Sequence, residues 1–179
     1  MHKATVGNVE VTALRDAHLV MDPRQFLPAH AEAFVAEYGH RADVRGLLPM
    51  AVTCYLVRSA GKNILVDTGL GPRKRPGFPG GNLDAAFRDA GLSPADIDVV
   101  VHTHLHIDHV GWNTFDREDG SRELFFPKAR FFIQQVEWDY WMTPERIAHP
   151  ANAHLAECVE PLRDSGRITF VDGEQAIDE

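Results

Sequence analysis

Apolar and polar residues alternate through Val9-Glu10-Val11-Thr12-Ala13-Leu14, which predicts an opening strand, because successive side chains of a strand face opposite sides. Residues 15–28 lose that period and read as loop. Residues 29–38 read as a short helix stopped by Gly39. Residues 50–58 are strongly β-prone, and Ser59-Ala60-Gly61-Lys62 turns the chain back into Asn63-Ile64-Leu65-Val66. That strand runs out in Asp67-Thr68-Gly69-Leu70-Gly71. A Pro/Gly-rich loop of about ten residues follows, longer than a plain connection needs and so a candidate rim of a site. Asn82 caps a helix running to Ala90, with Gly91 as its stop, and Ser93-Pro94-Ala95-Asp96 starts a helical turn.

Residues 98–101 are apolar after the first, as in a strand covered on both faces. Further on, residues 116–121 read as an exposed turn, 130–133 as a strand, and 135–142 as a helix closed by Thr143-Pro144. Residues 152–162 read as a longer helix despite Pro161. Residues 167–171 read as a strand, Asp172-Gly173 as a turn, and 174–177 as the start of a partner strand. This succession predicts one layered α/β domain.

Length and composition narrow the function. A chain of 179 residues with 44% hydrophobic and 25% charged residues is ordinary for a soluble globular protein. A net charge of −8 argues against nucleic acid, which needs a clustered basic surface. The single basic run, Arg73-Lys74-Arg75, reads as a solvated loop. Cys54 and Cys158 form no disulfide framework and read as buried thiols in a reducing cytoplasm. The first ten residues lack the apolar stretch of a signal peptide, and no run reaches the ~18 apolar residues of a membrane span. The expectation is a cytoplasmic protein with a small-molecule substrate, no nucleic acid and no membrane partner.

The candidate chemistry sits at the end of the strand 98–101. Four of the ten histidines fall in the run His102-Thr103-His104-Leu105-His106-Ile107-Asp108-His109. Clustered imidazoles beside a carboxylate are costly to bury unless something binds them. Zinc takes imidazole nitrogen and carboxylate oxygen at roughly 2.0–2.2 Å. If the segment stays extended, His104 and His106 face the same way and serve one ion, while Asp108 and His109, past the bend, serve a second. Two ions about 3.5–4 Å apart lower the pKa of a shared water toward neutrality, which makes hydrolysis the natural reaction. Asp67 is a candidate to orient a ligand imidazole through its other N–H. His102 shares the strand face of His104 and could back up the ligands or simply pack. His2, His18, His30 and His40 read as solvent-exposed, and Trp112, Phe115, Trp138 and Trp141 as core or rim.

His104-x-His106-x-Asp108-His109, preceded by Asp67-Thr68-Gly69 and followed by Gly111, resembles the metallo-β-lactamase superfamily. The run from Thr103 to Gly111 is similar to the branch that holds N-acyl homoserine lactonases, pyridoxolactonases and methyl-parathion-hydrolase-like enzymes. The resemblance implies an α/β fold (α+β in some schemes), a four-layered αβ/βα sandwich, and a dinuclear hydrolase. It implies two zinc ions, with iron or manganese as alternatives. By the same carry-over His104 and His106 bind the first metal and Asp108 and His109 the second, with Asp108 taking part in proton transfer.

The family completes its site with a further His in a Gly-His-Thr-Pro-Gly-His-like turn, a bridging Asp and a late His, and nothing in residues 1–179 matches these. The sequence therefore reads as a single metallo-β-lactamase-like domain over 1–179, truncated at its C-terminal end. Such a half-sandwich leaves an apolar face that favours association, so a homo-oligomer is expected. The function expected is a metal-dependent hydrolase whose metal-bound hydroxide opens a lactone or cleaves an ester. Alternatives are a glyoxalase-type thioester hydrolase, a phosphotriesterase, a di-iron oxidoreductase, and, in another class, a truncated non-catalytic fragment that binds metal weakly or pairs with another chain.

Overall fold

The computed structural model describes residues 2–177. Strands β1 (His2–Val6), β2 (Val9–Met21), β3 (Leu48–Ser59) and β4 (Lys62–Val66) pair antiparallel in sequence order. Between β2 and β3 lie the short helices α1 (Pro23–Phe26) and α2 (Ala31–Tyr38). After helix α3 (Leu83–Asp89), β5 (Val99–Val101) joins the sheet parallel to β4. The one-turn helix α4 (Ile107–Val110) and a separate hairpin, β6 (Thr114–Asp116) with β7 (Arg122–Leu124), follow. Strand β8 (Arg130–Gln134), helices α5 (Gln135–Trp141) and α6 (Pro144–Ile147), and strand β9 (Ile168–Val171) complete it. The sheet has seven strands in the order β1-β2-β3-β4-β5-β8-β9.

The main core lies on one face of this sheet, where Leu14, Leu56, Leu65, Val100, Phe131 and Ile133 meet Phe87 of α3, Trp138 of α5 and Leu155. Ile64, Val99 and Phe132 form a smaller apolar cluster on the other face. At about 25 cal/mol per Å² of apolar surface, the first layer supplies the main driving force.

Several expectations are corrected. Residues 15–28 are not loop: β2 continues to Met21 and α1 follows. The alternation breaks because the pairing with β3 shifts register between Arg15 and Ala17, at a β-bulge. Asp16 consequently turns inward at 2% exposure, a polar residue where the pattern demands an apolar one. β1 and the β6–β7 hairpin lie where no strand was expected. The helix expected over 152–162 is broken into π-helical Leu155–Val159 flanked by 3-10 turns Pro150–Asn152 and Glu160–Leu162. Pro161 accounts for this, since it lacks an N–H and its ring collides with the carbonyl four residues back. Residues 174–177 form no strand. The basic run is not solvated throughout: the side chain of Arg73 is 13% exposed and paired with Asp116, and that of Arg75 is 18% exposed and paired with Glu157. Both cysteines are buried.

The register of the parallel strands brings three chain exits to one edge, with Val66 opposite Val101 and Val101 opposite Phe132. Residues after β4, β5 and β8 therefore emerge side by side at the carboxyl ends of their strands, where sites of layered α/β folds collect.

Candidate functional site

β5 ends at Val101, so the histidine run is not extended as expected: residues 102–106 are irregular, and Ile107–Val110 is one turn of helix. His102 does not share a face with His104. It is 2% exposed and packs parallel to the Phe131 ring at 6.2 Å, while His104 and His106 turn toward the edge of the sheet. Neither ring nitrogen of His102 has a hydrogen-bond partner, although Nδ1 lies 3.8 Å from Asp67 Oδ1.

Around Asp67 the bonding is dense. Its φ of +60° is a left-handed conformation that Asp tolerates better than most residues. Its carboxylate accepts hydrogen bonds from the Thr103 amide (2.8 Å), the Thr103 hydroxyl (2.8 Å) and His109 Nδ1 (2.8 Å). Burial would push this carboxyl up, but nearby His102, the His109 ring and the Thr103 amide hold it well below the ordinary range. The carboxylate can only accept, so His109 Nδ1 carries the hydrogen and Nε2 is left to face Asp108 Oδ2 at 3.4 Å. Burial lowers the His109 pKa, yet the two carboxylates outweigh it and raise it to about 9. His104 shifts the other way, lowered by burial and by His109 and His106.

The four motif side chains are brought together. His104 and His109 rings are 3.8 Å apart between centroids, and His104 Nε2 lies 3.0 Å from His106 Nδ1. Zinc bonds of roughly 2.0–2.2 Å place two donors about 3.3 Å apart across a tetrahedral edge. The His104–His106 and Asp108–His109 pairs both approach that spacing, so the donor chemistry fits divalent ions. Among the described residues no three His, Cys, Asp or Glu side chains converge on one ion position. The arrangement is thus two half-shells. His149 is exposed and apart, and His154 is 5% exposed with Nε2 3.2 Å from the Leu105 carbonyl oxygen.

A cavity of about 500 Å³ opens beside His106 and Asp108, walled by Leu19, Met50, Phe78, Ile107 and Trp141. The Trp141 ring stands edge-on to His106 at 5.2 Å. Sequence reasoning missed Asp16, Thr103 and Glu137. Thr103 is adjacent to the motif and could have been weighed. Asp16 and Glu137 carry no local signal, since their partners lie far along the chain: Asp16 accepts from the Leu70 amide (2.6 Å), the Leu83 amide (2.8 Å) and the Trp112 indole Nε1 (2.8 Å).

Residues 47–115 match the family model described as Metallo-beta-lactamase superfamily. The N-acyl homoserine lactonase AttM of Azorhizobium caulinodans is 36% identical over 64 residues, which is 36% of this chain and 20% of that protein. AttM of Agrobacterium fabrum is 38% identical over 58 residues, 32% and 18% of the two. Among solved structures, the hydrolase AbOPH of the beta lactamase superfamily superposes with a TM-score of 0.76 at 21% identity, covering 98% of this chain and 62% of that one. AidC, a dizinc quorum-quenching lactonase in complex with a product, gives 0.73 at 26% identity with the same coverage. The chain thus spans 62% of the length of these two structures, and its matched segments span about a fifth of the curated relatives. No helix among the described residues is long and apolar enough to cross a membrane.

Proposed function

We propose that this chain, which carries the metallo-beta-lactamase fold and resembles the lactonase branch of that superfamily, is the metal-binding part of a hydrolase that opens lactones. The observation that carries the reading is the pair of half-shells, His104 with His106 and Asp108 with His109, set beside an apolar cavity at the strand ends. Two divalent ions, zinc first among candidates, would be held by His104 with His106 and by Asp108 with His109, and would supply a water nucleophile at neutral pH and a Lewis acid for a carbonyl oxygen. Asp67 fixes the His109 ring so that Nε2 faces inward, and Thr103 holds Asp67 in turn. Asp108 carries a carboxylate at the cavity mouth, where it can take up a proton and return it to the departing alkoxide. The apolar wall suits an acyl chain, and N-acyl homoserine lactones are the substrates to try first because the curated relatives bear that name. That no third donor converges among the described residues favours a second reading, a chain that binds metal weakly without turnover.

Elemental analysis of protein purified without chelator, paired with proton release from N-acyl homoserine lactones, separates the two. About two ions per chain and lactone opening that His109→Ala abolishes are expected under the first reading. Metal-free protein without hydrolysis refutes it and leaves the second.

A further inference from the structure

Leu105 lies between His104 and His106, in a segment with neither helix nor strand to satisfy its backbone. Its amide donates to Glu137 Oε2 at 3.1 Å, and its carbonyl accepts from His154 Nε2 at 3.2 Å. Its side chain is fully buried, so the residue is held on three sides. Glu137 comes from α5, 32 positions away, and His154 from the segment before the π-helical turn, 49 positions away. One helical turn beyond Glu137, Trp141 of the same helix stands against the His106 ring. The carbonyl can only accept, so His154 Nε2 carries the hydrogen. His154 Nδ1 is then buried with no partner. His154 also lines the cavity beside His106 and Asp108. An apolar residue at 154 would remove the unpaired nitrogen but would leave the buried Leu105 carbonyl without its donor.

We propose that Glu137 and His154 are positioning residues that clamp the Leu105 peptide, and so set the His104–His106 spacing at the value one divalent ion requires. This rests on the metal-centre reading above. The two side chains reach the ligands through backbone and touch no ion themselves. Without the clamp, the irregular loop samples other spacings, and binding must restrict it each time. Partners that orient ligands from behind typically alter metal affinity by about 10–100-fold when removed.

The test titrates zinc into the full chain against a chromophoric chelator, with cobalt absorption as a second readout of ligand geometry. Glu137→Met and His154→Leu remove one arm each while keeping volume, and are expected to weaken the tighter site about tenfold and broaden the cobalt bands. Glu137→Gln and His154→Gln restore an acceptor or a donor and are expected to recover most of the loss. Leu155→Ala, next to His154 and fully buried, is expected to lower thermal stability without changing affinity at temperatures where it is folded. If His154→Leu fails to fold, Glu137→Met at its half-buried helix position carries the comparison. Parent-like affinity in the folded Met or Leu variants overturns the clamp, as does an equal loss in Leu155→Ala. A parent chain that binds no zinc overturns the metal-centre reading itself and the clamp with it.

Discussion

Replacing Gly111 by Ala pits helix propensity against close packing. Gly111 has φ −62° and ψ −37°, an ordinary right-handed conformation in which Ala is normally favoured by roughly 0.5–1 kcal/mol. A Cβ built there would lie 2.0 Å from the Leu70 carbonyl carbon, 2.1 Å from its oxygen and 2.3 Å from the Gly71 nitrogen. All three are backbone atoms and none can swing away. Relief to ordinary contact requires the segments after β4 and after α4 to part by about 1.4 Å. Three backbone hydrogen bonds join those segments, Gly111 N to Gly69 O (2.7 Å), Thr68 N to His109 O (2.7 Å) and Trp112 N to Thr68 O (3.1 Å). At about 1 kcal/mol each they are lost or badly stretched. Overpacking adds about 1–3 kcal/mol. After the propensity gain, the expected net loss is about 3–5 kcal/mol, a large part of the 5–15 kcal/mol that is typical of a domain. Urea unfolding followed by tryptophan fluorescence measures it. Gly39→Ala is the control: its φ is also right-handed (−58°), its Cβ would meet only the flexible Val35 side chain at 3.3 Å, and it is expected to shift stability by less than about 1 kcal/mol. A Gly111→Ala protein as stable as the parent would refute the close-approach argument and restore propensity as the deciding factor.

Asp16→Ala strips the acceptor from the Leu70, Leu83 and Trp112 donors together, so thermal denaturation should show a loss above about 3 kcal/mol, with Asp16→Asn milder because its amide oxygen still accepts. His109, raised from 6.5 to about 9 in the metal-free chain, stabilises the fold fully below pH 6.5 and loses that contribution as pH rises through 9. The shift corresponds to about 3 kcal/mol, and it should vanish in His109→Gln. An NMR titration of the His109 ring with a midpoint near 6.5 would sink that account. The same proton must leave before Nε2 can bind an ion, so zinc affinity should rise with pH up to about 9.

The clustering of the candidate donors and most of the strands that support them were legible because both depend on local spacing. Val99, Val100 and Val101 announce a strand covered on both faces, and the motif follows directly. Asn63 to Val66 was legible from its turn and its β-branched residues. What stayed hidden depends on the far side of a contact. Asp16 looks like a surface residue until the Gly69 and Gly81 backbones are seen to press on its carboxylate, where a Cβ would come within 2.4 and 2.1 Å. Because that buried acid interrupts the alternation, the second half of β2 vanished from the pattern along with it. The apolar spacing of residues 155–162 favours a continuous helix while Pro161 forbids one, and the backbone resolves the conflict with a π-helical turn.

The same division explains why the motif is dense yet, among the described residues, no three of its donor-type side chains converge on one point. Six consecutive residues, 104–109, supply four donor side chains, but consecutive residues cannot aim all their side chains at one point. Their placement is imposed from outside the run, by Asp67 through His109, by the Leu70–Gly71 backbone against Gly111, and by Glu137 and His154 through Leu105. Each of those contacts comes from a segment that leaves the same edge of the sheet or packs over it, because β4, β5 and β8 are parallel and in register there. A substitution that slips this register would leave all four donors in the sequence and separate them in space. The sequence spacing therefore decides which side chains are candidates, and the parallel pairing of three short strands decides whether they meet.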